Sequence, residues 1–282
     1  MSATPRPTSP SRPLSQMLNK VPEVTIYFWV IKILCTTVGE SLADYLNTNV
    51  GLGLSTTTVI FSLALAAALI VQFRLRRYVP AVYWTVVVLV SVVGTLLTDN
   101  LTDNLNVPLS LTTGVFTVVL AAVFGIWYSR ERTLSIHSII TRPREAFYWL
   151  TVLVTFALGT AAGDWTLDLT GWAPGASVLL PAGLIALTAL AWRLGAGATL
   201  CFWIAYILTR PLGANLGDFL GSDPADGGLG LGTAWTSLLF LATILAVVTY
   251  LSVTRRDQTP AAEHAPETVL VRPTDPDDVL VH

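Results

Sequence analysis

The chain has 282 residues, 53% hydrophobic and 12% charged, with a mean hydropathy of +0.64 and a net charge of −2. That is about half the charge of an ordinary globular domain and excludes a soluble enzyme. The sixteen Lys and Arg are scattered between apolar blocks rather than gathered in one patch, so nothing in the charge speaks for a nucleic-acid partner.

Residues 1–20, rich in Pro, Ser and Thr, lack the apolar stretch and cleavage site of a secretory signal and are expected to form a disordered cytoplasmic tail. From Val24 to Val253 the apolar residues fall into blocks about 20 long, each enough to cross a hydrocarbon core of roughly 30 Å. Eight spans are predicted: Thr25 to Leu46, Gly53 to Phe73, Ala81 to Leu101, Leu109 to Tyr128, Ala146 to Leu169, Ser177 to Trp192, Thr199 to Leu220 and Leu229 to Val253. Residues 255–282, with many acids and prolines and little apolar material, are expected to be a second disordered tail. Between the tails, 21–254 is one membrane domain. The two cysteines, Cys35 and Cys201, fall inside apolar blocks without metal-ligand spacing and read as small hydrophobes.

Orientation follows from the basic residues, which are retained on the cytoplasmic side. Fourteen of the sixteen lie in the tails or after spans two, four and six; none lies in the loops after spans one, three, five and seven. Both termini are therefore expected in the cytoplasm of a multi-pass protein of the plasma (inner) membrane. The two remaining cations, Lys32 and Arg210, are inside spans.

Compared with itself, the chain repeats. Phe28-Trp29 is followed by Gly39 and Asp44, Tyr83-Trp84 by Gly94 and Asp99, Tyr148-Trp149 by Gly159 and Asp164, and Phe202-Trp203 by Gly213 and Asp218. The pattern [FY]-W-x9-G-x4-D occurs once in each odd-numbered span. It marks a two-helix unit present four times, over about 21–77, 78–141, 142–195 and 196–254. An even number of spans per unit gives every unit the same orientation, so the copies are parallel repeats about an axis along the membrane normal. The expected fold is all-α: an eight-helix polytopic membrane bundle with pseudo-four-fold symmetry.

With its tryptophan-bearing repeats and stretches such as Lys20-Val21-Pro22 through Gly39-Glu40 and Thr209-Arg210-Pro211-Leu212-Gly213, the chain resembles a family of bacterial integral membrane proteins. These are built of tandem two-transmembrane repeats of unknown function. The resemblance covers roughly residues 20 to 254 and implies architecture only.

Function must come from the residues. Stepping by four from each aspartate, 3.6 residues per turn put Lys32, Thr36, Glu40 and Asp44 on one face of span one. Span three presents Val87, Ser91, Thr95 and Asp99, span five Val152, Phe156, Thr160 and Asp164, and span seven Tyr206, Arg210, Ala214 and Asp218. A charged stripe cannot face lipid, where each charge costs several kcal/mol. It is expected inside the bundle, with the four aspartates as a ring near the outer face and Asp103 and Asp168 one turn farther out.

The aspartates have two readings, markers of where each helix stops or ligands for something positive. An acid in the last turn opposes the helix dipole, which favours the second. Asp44, Asp99, Asp164, Asp218 and Glu40 are the candidate cation-binding residues. The ion is undetermined; oxygen ligands without His or Met favour protons, alkali ions or hard divalent ions. Lys32 and Arg210 are a gate or, for Arg210, an ion pair with Glu40 across the first and fourth units. Gly39, Gly94, Gly159 and Gly213 are helix-packing points or pivots. Trp29, Trp84, Trp149 and Trp203 are expected as interface anchors at the headgroups.

No H-E-x-x-H, G-x-S-x-G or P-loop is present, so no enzyme and no cofactor is expected. The expectation is a proton- or metal-ion-coupled transporter, partnered by lipid and an inorganic cation, with oligomeric state open. A non-catalytic membrane scaffold with structural aspartates is the alternative.

Overall fold

The computed structural model describes residues 19–258. The expected tails, 1–20 and 255–282, fall largely outside the described residues. At the two edges that are described, Lys20 and Asp257 are buried, so the packed body reaches past both ends of 21–254.

Helices alone make up the described architecture: α1 (Ile26–Asp44), α2 (Leu54–Arg74), α3 (Pro80–Asp99), α4 (Leu109–Glu131), α5 (Arg142–Thr170), the short α6 (Pro174–Ser177) leading into α7 (Leu179–Arg193), α8 (Ala198–Gly221) and α9 (Thr233–Thr254). The starts carry ordinary signals. Thr25 and Thr141 accept hydrogen bonds from the Phe28 and Arg144 backbone N–H, and Pro80 opens α3, where its missing donor costs nothing. Gly171, in the left-handed region at φ 61°, stops α5. Beyond Asp44 and Asp99 the backbone widens into π-helical turns, Tyr45–Asn49 and Asn100–Asn104. Beyond Asp164 and Asp218 the α-helix simply continues. None of the four aspartates is thus a clean helix terminus.

Among the described residues seven helical segments are long and apolar enough to cross a membrane, which makes this a multi-pass membrane protein. The sequence leads one to expect eight. The difference is α8, which has the length at 24 residues but carries Arg210, Asn215, Asp218 and three glycines. It runs through Pro211 as one helix.

Helices α1, α3, α5 and α8 touch in a closed order: α1 on α3, α3 on α5, α5 on α8 and α8 on α1. The others pack outside, each on the inner helix that follows its own: α2 on α3, α4 on α5, α7 on α8, and α9 back on α1. Large apolar side chains project from all four outer helices, for example Leu63, Val118, Leu187 and Leu245. In water such a surface would be a large exposed apolar area; in a bilayer it is lipid contact.

The glycines explain how closely the inner helices approach. A Cβ on Gly39 would stand 1.9 Å from the Ser91 hydroxyl, on Gly94 2.6 Å from Phe156 Cβ, on Gly159 2.5 Å from Arg210 Cβ, and on Gly213 1.7 Å from the Thr36 hydroxyl. Each repeat's glycine seats the next repeat's residue eight positions before its aspartate, all the way round. Hydroxyls complete the seams: Thr37 donates to the Gly213 carbonyl at 2.7 Å and Thr98 to the Ala157 carbonyl at 3.1 Å.

Candidate functional site

The interior of this ring is layered, because residues four apart on each helix share one face. At one end stand Asp44, Asp99, Asp164 and Asp218, all half-buried. Glu40 lies within electrostatic reach of all four, and Arg210 of Asp44, Asp164 and Asp218. Asp103 and Asp168, one turn farther out, are exposed.

One turn below, a single guanidinium ties three helices together. Arg210 of α8 donates through Nη2 to Glu40 of α1 and to the Thr95 hydroxyl of α3, and through Nη1 to the Thr36 carbonyl at 3.5 Å. Thr95 itself has one proton to donate, to Glu40 at 3.4 Å or to the Ser91 carbonyl at 3.2 Å. The Arg210 side chain is 1% exposed and Glu40 13%, so the pair is a buried one reached from the aspartate side. Charge-assisted bonds of this kind hold a guanidinium in place of water.

Lys32 lies deeper. It is 1% exposed, with Nζ 3.8 Å from the centre of the Phe156 ring and 4.3 Å from that of Tyr206, and among the described residues it forms no ion pair. Two aromatic faces partly replace the lost hydration. Together with Phe156 it fills the axis beneath Arg210.

At the far end the aromatic doublets meet. Phe28, Tyr83 and Tyr148 are buried, Phe202 is half-buried, and the Tyr83 and Tyr148 hydroxyls hydrogen-bond at 2.5 Å. Trp84, Trp149 and Trp203 are 1–4% exposed and only Trp29 is half-buried. Three of the four tryptophans expected as headgroup anchors are thus packed inside the protein. Adjacent residues on a helix point about 100° apart; here the first ring of each doublet faces the axis and the Trp wedges against the neighbouring helix. Trp203 Nε1 donates to the Leu134 carbonyl at 3.0 Å.

Beneath the rings the loops form a polar cap that sequence reasoning missed. Lys20 pairs with Glu145 at 2.6 Å, Gln72 donates to the same carboxylate at 3.0 Å, and the Tyr78 hydroxyl donates to Asp257 at 2.5 Å. The Glu23 N–H donates to the Asp257 carbonyl at 2.9 Å, joining the two ends of the described chain. Burial raises the Asp257 carboxyl above the usual carboxylate range. No spacing rule announces contacts this far apart. The Tyr83–Tyr148 pair was accessible: one more step of four down the stripe from Val87 and Val152 reaches it.

Among the described residues no three His, Cys, Asp or Glu are close enough together to hold a metal ion. A cavity of about 660 Å³ lies elsewhere, on the flank between α1, α7 and α8, lined by apolar residues such as Ile26, Trp29, Ile185, Trp192 and Phe202. It belongs to the lipid-facing side, not to the acidic end.

A ring of apolar helices with carboxylates at one end and packed aromatic rings at the other defines a helical, multi-pass membrane protein with a charged interior. The chain belongs to the family described as Repeat of Unknown Function (DUF347), whose model matches residues 27–78, 82–133 and 201–257, more than half of the chain in three tandem copies. The third Trp-Gly-Asp set, Trp149, Gly159 and Asp164, falls outside the matched segments. No curated protein and no solved structure matches the chain.

Proposed function

We propose that the chain is an eight-span transporter of protons or inorganic cations, built as four parallel repeats with pseudo-four-fold symmetry, its aspartate end outward and its arginine-rich loops and termini in the cytoplasm. The observation that carries this reading is the gathering of Glu40 and four aspartates around the single guanidinium of Arg210. One cation among five acids leaves an excess of negative charge in a partly dry interior. Such an excess is relieved by taking up protons or cations. The filled axis below, Arg210 over Lys32 and Phe156, fits a transporter in a closed state better than an open channel. That no three acids among the described residues stand close enough to hold a metal supports the proton over a multidentate metal ion. Helix α8 serves as the eighth span because Arg210 and Asn215 are buried in the protein rather than in lipid.

The test is to change Asp44, Asp99, Asp164 and Asp218 singly to Asn in the full-length protein and to measure the metal-ion and pH tolerance of producing cells. Folded protein with weakened ion dependence is the expected result. Unchanged ion dependence in all four variants removes the transport reading and leaves a scaffold. Orientation is tested with single cysteines and an impermeant thiol reagent. Since Cys35 and Cys201 are buried, the background is low. Cysteines at Asn104 and Asp226 should label from outside, and those at Arg76 and Arg193 should not; the reverse pattern overturns the orientation.

A further inference from the structure

Below the acidic cluster, polar atoms continue along the axis to the opposite surface. Lys32 sits in electrostatic contact with Arg210 above it, and its ammonium lies over the Tyr206 ring. The fully buried Tyr206 hydroxyl stands beside that of Tyr148 without completing a directed hydrogen bond of its own. Tyr148 and Tyr83 share a 2.5 Å hydrogen bond in which either oxygen can donate. Tyr83 packs edge-on against Tyr78, ring centres 5.5 Å apart, and Tyr78 donates to Asp257. Four tyrosines from α3, α5, α8 and the loop before α3 thus converge between one buried amine and one buried carboxylate. Packing alone does not call for the hydroxyls of Tyr83 and Tyr148, because Phe fills the equivalent positions Phe28 and Phe202. A hydroxyl buried in membrane protein is costly unless it is bonded.

We propose that this column is a proton relay joining the aspartate vestibule to Asp257 at the opposite face. The proposal deepens the transporter reading, on which it rests, by naming the proton as the species that crosses. The Lys32 ammonium passes a proton down to the Tyr206 hydroxyl and, left as an amine, is recharged by a proton from the vestibule two turns above, where Glu40 and the aspartates collect it. Each tyrosine then accepts a proton on its oxygen while giving its own to the next acceptor, so none keeps a charge. Asp257 receives the last proton and releases it. One proton leaves the vestibule for each one delivered, with no co-reactant. The unbonded Tyr206 hydroxyl is the mobile joint, free to turn between Lys32 and Tyr148. Protons hop through such a chain while metal ions are stopped by Phe156 and the packed rings.

Full-length protein in liposomes of bacterial lipid, with an internal pH dye and a potassium diffusion potential, reads the flux. Wild type should acidify or alkalinise the interior according to the sign of the potential. Tyr148→Phe and Lys32→Met should lower the rate by at least about tenfold, the low end of what a positioned proton-transfer group contributes. The double variant Tyr83→Phe/Tyr148→Phe, which leaves neither hydroxyl without its partner, guards against a folding defect, with thermal melting measured alongside. Tyr128→Phe, on the exposed face of α4, should match wild type. Proton flux that survives Tyr148→Phe and the double variant overturns the relay and leaves the transporter reading intact. Wild type that moves manganese or another metal ion but no protons does the same. Wild type that moves neither overturns both.

Discussion

Helices α3 and α4 are about equally apolar, yet 67% of α3's most apolar window is buried in the protein and only 22% of α4's. Hydropathy therefore does not tell an inner helix from an outer one in this molecule. What separates them is where small and polar residues fall. In α3, Gly94 and Thr98 line the seam with α5, Ser91 the seam with α1, and Thr95 reaches Glu40 and Arg210. On α4, Gly114 and Gly125 face open space, and hydroxyls such as that of Thr117 turn back to their own backbone. Between membrane helices there is no hydrophobic drive to associate, because lipid is as apolar as leucine, so close backbone approach and bonded polar groups choose the partners.

This comparison is broken most severely by filling an inner seam. In Gly213→Val the Thr36 side chain can rotate away from the new Cβ, but the Ile33 carbonyl 2.9 Å away cannot. Loss of monodisperse folded protein in size-exclusion chromatography is expected. Gly114→Ala on α4, with nothing within 4 Å, should instead be neutral or stabilising by up to about 1 kcal/mol. Equal behaviour of the two variants would show that the seam does not hold the ring.

A smaller effect is expected at the Arg210–Glu40 ion pair, which crosses the ring. Arg210→Met leaves Glu40 without its cation and should destabilise by about 3 to 5 kcal/mol, whereas Arg210→Met with Glu40→Gln should recover more than half of that. Strictly additive losses in thermal melts would mean that the pair does not couple α8 to α1.

The smallest effect lies in the cap. Because burial raises the Asp257 carboxyl in the folded state, folding binds its proton more tightly than the unfolded chain does. Stability is then unaffected below about pH 4, the ordinary carboxylate value, and falls as pH rises through the raised value. Asp257→Asn should match wild type near pH 4 and melt a few degrees higher at about pH 8. A lower melting temperature at the higher pH would show that the Tyr78 bond to the carboxylate outweighs its burial.

Local periodicity made much of this legible. The 3.6-residue repeat put Lys32, Glu40 and Asp44 on one face, and that arithmetic holds whatever the helix packs against. The same arithmetic leaves open which way a doublet such as Tyr148-Trp149 turns. A residue near a helix end is equally close to lipid and to a neighbouring helix, and Trp84, Trp149 and Trp203 turn to the neighbour. The cap contacts were out of reach altogether, since Lys20 and Glu145 are 125 residues apart and neither belongs to a repeat.

By itself, then, the sequence determined the membrane class, the recurring Trp-Gly-Asp spacing and the polar face of each repeat, because these are set by composition and by neighbours within a few turns of one helix. Only the tertiary structure decided that α9 closes back on α1, that Arg210 reaches both Glu40 and Thr95, and that four tyrosines gather between Lys32 and Asp257. Those contacts depend on the rotation and separation of whole helices, which are settled collectively by every seam in the ring, and no single segment encodes them.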